Sequence, residues 1–223
     1  MSLLDSLNGG VVVSCQPVSN GPMDQPSIVG AMACAAVAGG AVAVRVEGIE
    51  NVRAVRPLVD VPLIAITKRD LRVSDVRITP SVEDVNVLAA CGADVIAYDA
   101  TDRLRTDRRE DIVRAILDND ILAMADSASV EDAKQAIQDG AAIIGTTLSG
   151  YIGTPAQSTD APDLELVREF AKLNAFVMAE GRYRTPELVA AAINCGANAV
   201  TVGSALTRLE VATHWFVEAA SRK

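Results

Sequence analysis

The chain has 223 residues, of which 50% are hydrophobic, 3% aromatic and 22% charged, with a formal net charge of -9. This balance excludes a disordered segment and suffices for one globular domain whose core comes from aliphatic strands and alanine-rich helices. The acidic surplus excludes broad nucleic-acid binding, because a phosphate backbone needs a basic surface, and no stretch stays apolar long enough to span a bilayer.

The opening MSLLDSLNGG lacks a basic leader region, which predicts an unprocessed cytoplasmic protein. Leu3, Leu4 and Leu7 share one helical face, predicting a short helix over 3–7 that plugs the bottom of a barrel. Short apolar runs then recur: VVVSC at 11–15, AVAVRV at 41–46, LIAIT at 63–67, DVIAY at 94–98, ILAMA at 121–125, AAIIGT at 141–146, FVMAE at 176–180 and AVTVG at 199–203. Each is nearly continuous in hydrophobicity, as a parallel strand covered on both faces must be.

Amphipathic stretches separate most of these runs. Thr79, Ser129 and Thr185 are expected N-caps, with Pro80 and Pro186 at the first helical position. Gly40, Gly92, Gly140 and Gly196 each precede an alanine between a helix and a strand, spaced 52, 48 and 56 residues apart, about two βα units each time. Eight such units predict a single (β/α)8 barrel, of the TIM type, occupying residues 1–223, with 149–163 as a long loop on the active-site side.

Cys15, Cys34, Cys91 and Cys195 lie far apart without a C-x-x-C pair, so we expect reduced, mostly buried thiols and neither a disulfide framework nor a zinc knuckle. The single histidine, His214, sits at helical spacing near the end and reads as a packed or surface residue. No metal site is expected. A G-x-G-x-x-G turn is absent, so no nicotinamide cofactor is expected either.

In a barrel of this kind the chemistry gathers at the carboxyl ends of the strands. The polar residues there are Ser14 and Gln16, Arg45, Lys68, Asp99, Asp126, Thr146 and Thr147, and Glu180 with Arg182. Cations Arg45, Lys68 and Arg182 gathered with carboxylates Asp99, Asp126 and Glu180 suit a polar, anionic ligand, with mutual ion pairing as the competing structural reason. AEGR at 179–182 and VGSALTR at 202–208 place glycine turns after strands seven and eight, where barrels often hold phosphate. Gly181, Gly203 and Ser204 would supply amides there, and Arg182 or Arg208 charge.

The strings VSCQ, VRVEGIENV, ITKRD, DATDR, MAD, GTTLSGY, AEGRYRTPE and TVGSALTR, in this order along nearly the whole chain, resemble the N-acetylmannosamine-6-phosphate 2-epimerase family. The resemblance implies interconversion of N-acetyl-D-mannosamine 6-phosphate and N-acetyl-D-glucosamine 6-phosphate in amino-sugar and sialic acid catabolism, by proton removal and return at carbon 2 without an organic cofactor. It also implies Lys68 as acid/base and Glu180 as its assistant. Gln16, Arg45, Asp126, Thr147 and Arg208 are the expected sugar contacts, and Gly181, Arg182, Gly203 and Ser204 the expected phosphate contacts. A small phosphosugar is the expected partner, with a homo-oligomer, a dimer favoured, and neither nucleic acid nor membrane. Two alternatives stay open: a Schiff-base lyase or aldolase using Lys68, and a non-catalytic phosphosugar-binding barrel.

Overall fold

Eight parallel strands close into a barrel in chain order, in a computed structural model that describes residues 2–152 and 160–221. They are β1 (Val11–Cys15), β2 (Ala43–Glu47), β3 (Leu63–Ile66), β4 (Val95–Asp99), β5 (Leu122–Asp126), β6 (Ile143–Gly145), β7 (Phe176–Glu180) and β8 (Ala199–Val202). All eight predicted runs are strands, with ends shifted by a few residues at most. The Val13↔Val202 pairing of β1 with β8 closes the ring. The predicted (β/α)8 barrel is therefore the observed architecture, and closure removes the sheet edges that an open parallel sheet would have to protect.

Period-two alternation divides the apolar residues into two sets. Val12, Ala43, Ile64, Ile66, Val95, Ala97, Met124, Ile143, Phe176, Met178 and Ala199 fill the barrel interior. Their neighbours along the strands, such as Val13, Val44, Ile96, Ala123, Ile144 and Val177, pack outward against the helices. Helix α1 (Leu3–Leu7), capped by Ser2 through a reciprocal bond with Asp5, inserts Leu7 into the interior set with no exposed surface, so the expected bottom plug is present.

The surrounding helices are α2 (Pro26–Ala38), α3 (Ile49–Val55), α4 (Val82–Ala90), α5 (Arg109–Asp118), α6 (Val130–Asp139), α7 (Leu164–Phe170) and α8 (Pro186–Asn194), followed by α9 (Ser204–Thr207) and α10 (Leu209–Ser221). Ser129 caps α6 in a capping box with Asp132, and Thr185 precedes Pro186 at the first turn of α8, both as expected. The expected cap of α4 is displaced. Ser81, not Thr79, occupies that position: its hydroxyl accepts from the Asp84 amide, while the Thr79 hydroxyl donates to the Ala97 carbonyl at 2.7 Å. Pro80 consequently lies before the helix rather than in its first turn.

Only Cys15 among the four free thiols is fully buried; Cys91 and Cys195 are half-buried and Cys34 is exposed, so the expectation of mostly buried thiols is corrected. The expected loop 149–163 is described except at 153–159, which lie outside the described residues. Among the described residues no helix is long and apolar enough to cross a membrane.

All four turn glycines take positive φ, from +84° to +108°. At Gly196 the close packing is as demanding as the backbone, because an added Cβ would sit 2.6 Å from the Ala171 Cβ, whereas at Gly40 it would meet nothing within 4 Å. Gly40→Ala should cost only the left-handed backbone penalty, about 1–2 kcal/mol. Gly196→Ala should cost that plus an overpacking term of about 1–3 kcal/mol. Urea unfolding midpoints of the two variants check this ordering, and equal losses would contradict it.

Candidate active site

The alternation that fills the barrel interior continues upward, so the next inward position on each strand belongs to the site. Above Val12 comes Ser14, above Ala43 comes Arg45, above Met124 comes Asp126, above Met178 comes Glu180 and above Ala199 comes Thr201. Ser14, Gln16, Arg45, Lys68, Thr147, Glu180, Gly181, Arg182, Gly203, Ser204 and Arg208 line one cavity of about 340 Å³ at the carboxyl ends of the strands.

Arg45 lies at its floor and is only 1% exposed. Its Nη2 donates to Asp126 Oδ2 at 2.6 Å, and its Nη1 donates to Asp126 Oδ1 at 3.1 Å and to Glu180 Oε2 at 2.7 Å. The Thr147 hydroxyl lies 2.7 Å from Asp126 Oδ1 and 3.2 Å from Glu180 Oε2, within donating reach of both carboxylates. Burial opposes the guanidinium charge, but Asp126 and Glu180 more than offset it and hold Arg45 in its charged form. Deleting one partner of such a buried set leaves an uncompensated charge and typically costs about 3–5 kcal/mol.

Glu180 answers differently to the same surroundings. Burial pushes its carboxyl up to about 7 against the pull of Arg45, and the second negative charge on Asp126 adds to the rise. Lys68 moves the opposite way, down to about 8, because burial and the Arg45 charge disfavour an ammonium. Glu47 and Glu180 pull it back up, and Arg208 adds to the fall. The Lys68 amine donates to Gln16 Oε1 at 2.6 Å, a neutral partner. The site thus brings an amine and a carboxyl to within about a unit of neutrality in one cavity, the pairing that acid/base chemistry at pH 7 requires.

The predicted residues divide into those on the cavity wall and those behind it. Asp126 is fully buried behind Arg45 and is not on the wall; it grips Arg45 and Thr147. Asp99, expected to converge with the others, is likewise off the wall, and its carboxylate serves Thr101 and Arg103. Thr146 exchanges hydrogen bonds with the Glu180 main chain instead of facing the cavity. Arg182 reaches the wall, but its guanidinium donates to the carbonyls of Ala161 and Ser149 and stacks 5.1 Å from the Tyr151 ring centre. It braces the loop.

Arg184, two residues on, is the cation that sequence reasoning missed. It lines the cavity, lies over Trp215 at 4.6 Å and reaches the exposed Asp160 at 3.3 Å. The AEGRYR string places a second arginine two residues after Arg182, but β7 ends at Glu180 and spacing alone does not say which of the two is taken up by the loop. Trp215 and Val211, from α10, complete that wall and could not be placed there from spacing alone. Gly203 caps α9 and leads its first amides to the cavity beside Arg208. Among the described residues no group of three or more histidine, cysteine, aspartate or glutamate side chains is placed to hold a metal ion.

Known proteins match this chain along almost all of its length. A family described as "Putative N-acetylmannosamine-6-phosphate epimerase" matches residues 29–222. A protein of Photobacterium profundum, described as a "Putative N-acetylmannosamine-6-phosphate 2-epimerase", is 54% identical over 213 residues, covering 96% of this chain and 90% of its own. A protein of Vibrio vulnificus with the same description is 55% identical over 210 residues, covering 94% and 92%. The solved structure of the N-acetylmannosamine-6-phosphate 2-epimerase from Clostridium perfringens superposes with a TM-score of 0.95 at 35% identity, covering 98% of this chain and 96% of that one. The barrel, the cavity at its carboxyl end and these matches agree, and the chain belongs to the N-acetylmannosamine-6-phosphate epimerase family.

Proposed function

We propose that this protein interconverts N-acetyl-D-mannosamine 6-phosphate and N-acetyl-D-glucosamine 6-phosphate, a step of amino-sugar and sialic acid catabolism, with residues 1–223 acting as one barrel domain in the cytoplasm. The observation that carries the mechanism is the half-buried Lys68 amine, which lines the cavity with Arg45 and Glu180, donates to Gln16 and is pushed down to about 8. In the open-chain sugar the hydrogen on carbon 2 is acidified by the neighbouring aldehyde. The neutral Lys68 amine takes that hydrogen as a proton, the C–H pair moves into the C1–C2 bond, and the aldehyde oxygen becomes an enolate. The new ammonium charge and the nearby Arg45 favour the enolate, and a proton returned to the opposite face inverts the centre. Glu180, titrating near 7, can give or accept a proton in the same cavity. No electrons leave the sugar, so the chemistry requires no redox partner.

For the phosphate, Gly203 and Ser204 supply main-chain groups and Arg208 the charge, with Gly181 on the facing turn. Arg182 braces this corner rather than contacting the phosphate, because its guanidinium is held by main-chain carbonyls. Gln16 and Thr147 contact the sugar from the wall, while Asp126 acts on it through Arg45. The protein works as a homodimer. Helix α10 carries no buried residue and exposes Leu209 and Phe216, seven residues apart on one face, with Val217 beside them, a surface that pairing would cover, and sedimentation equilibrium distinguishes this state from a monomer.

Because the base must be neutral, activity should rise with pH up to the Lys68 value. At pH 7 roughly a tenth of Lys68 is neutral, so kcat/KM should climb nearly tenfold per unit and level off above about 8. A coupled assay of N-acetyl-D-glucosamine 6-phosphate formation across pH 6–9.5 measures it; a limb near 10, the ordinary lysine value, or no product at all would contradict the reading. Arg208→Gln should raise KM for the phosphosugar roughly 10- to 100-fold, the size of a charged hydrogen bond. Turnover of unphosphorylated N-acetylmannosamine should fall less, by the part of the loss that comes through Gln16 and Lys68, which Arg208 also touches. Equal losses on the two sugars would move the phosphate elsewhere.

A further inference from the structure

Gln16 is held at both ends of its backbone before its side chain does anything. Its amide N–H donates to the Ser14 carbonyl at 3.0 Å, and its carbonyl accepts from Arg208 Nε at 3.0 Å. What remains free is the side-chain amide, whose two ends are nearly equal in size and opposite in chemistry. One end, Oε1, takes the Lys68 amine at 2.6 Å; the other, Nε2, donates to the Ser14 hydroxyl at 2.8 Å.

We propose, on the epimerase reading above, that Ser14 is a positioning residue for the reaction: its hydroxyl ties down the Nε2 end of the Gln16 amide and so holds the Oε1 end against the Lys68 amine. The orientation matters in both protonation states. An ammonium only donates and needs an acceptor. A neutral lysine keeps one lone pair, which has to remain open toward carbon 2 if it is to remove the proton. A flipped amide would place an N–H donor against that lone pair and block it. The Lys68 ammonium selects the Oε1 end, and the bond from Nε2 to the Ser14 hydroxyl keeps the amide from swinging out of that pairing.

Ser14 itself is well anchored. It lies in β1 level with Arg45, it is 5% exposed, and its carbonyl accepts from the Thr207 hydroxyl at 2.7 Å. Its Cβ sits 3.4 Å from where a Gly203 side chain would begin, so β8 also packs against it. The charged groups acting on Lys68 come from several elements: Arg45 and Glu47 on β2, Glu180 on β7 and Arg208 after α9. Those charges are balanced in number, and Gln16 adds a hydrogen bond without adding a charge.

The test compares wild type, Ser14→Ala, Gln16→Glu and the double variant. Two readouts are used: kcat with KM, and the pH titration of Lys68 followed by NMR of 13Cε-labelled lysine without substrate. Ser14→Ala should lower kcat about tenfold, the size of one hydrogen bond, with KM within about twofold. It should also move the Lys68 midpoint to lower pH, because an amide freed from Ser14 pairs less closely with the ammonium. Gln16→Glu should move that midpoint to higher pH. A carboxylate is drawn to the ammonium by its charge and has no Nε2 for Ser14 to hold, so adding Ser14→Ala to Gln16→Glu should change kcat and midpoint little further. An equal kcat loss from Ser14→Ala in both backgrounds would overturn the proposal, as would an unchanged Lys68 midpoint in Ser14→Ala. Since the titration needs no turnover, a wild type that fails to epimerise would sink the epimerase reading separately.

Discussion

A buried guanidinium is the constraint on which the rest of this site depends. Arg45 sits at the top of an aliphatic barrel with Met124 sulfur 3.9 Å from its Nη1, in surroundings that cannot solvate a charge. It persists there because Asp126 takes both terminal nitrogens and Glu180 takes one of them. The demand is distributed: Asp126 gives up contact with the cavity to serve Arg45, and Thr147 is drawn in to satisfy the remaining carboxylate lone pairs. In return, one fixed positive charge acts on both groups that titrate near neutrality. It opposes the ammonium form of Lys68 and restrains, without cancelling, the rise that burial imposes on Glu180.

Barrel geometry explains why these groups meet at all. Arg45, Asp126 and Glu180 come from β2, β5 and β7, far apart in the chain, yet all occupy inward positions one alternation above the aliphatic layer. The inward strand positions of that layer carry aliphatic, methionine or phenylalanine side chains, and Leu7 closes it from below. The lower half of the barrel is therefore a packed core, and the upper half builds its charged groups on that close-packed floor. Rigid strands, rather than loops, set the distances between base, carboxyl and guanidinium.

Much of this was legible in the sequence, for identifiable reasons. Continuous apolar runs separated by helix-ending glycines specify a closed parallel barrel, since both faces of each strand have to be buried. The polar residue ending each run then names a wall of the site, which located Gln16, Lys68 and Glu180, and the glycine turn after the last run located Gly203. What could not be read was partner choice. Asp99 and Asp126 occupy equivalent strand ends, paired directly in register, yet one is taken by Arg103 and the other by Arg45. Nothing in their spacing distinguishes them. Arg182 and Arg184 show the same ambiguity: the first, in the glycine turn, is the natural phosphate contact by spacing, but a positive φ of 64° accompanies a guanidinium directed at the loop carbonyls. The cap of α4 escapes sequence reading for a local reason, because Thr-Pro and Ser-x-x-Asp compete for one helix start and the hydroxyl nearer the Asp84 amide prevails.

The proposed epimerisation turns on whether a lysine in this setting moves the proton at carbon 2. The most direct measurement is turnover of N-acetyl-D-mannosamine 6-phosphate in deuterated water by wild type and Lys68→Ala, following both product and solvent-derived deuterium at carbon 2. Loss of a positioned acid/base group should reduce kcat by about 10²–10⁴ while substrate still binds, with exchange at carbon 2 reduced in parallel. Turnover and deuterium incorporation by Lys68→Ala at rates close to wild type would contradict the account and assign the proton transfer to another group.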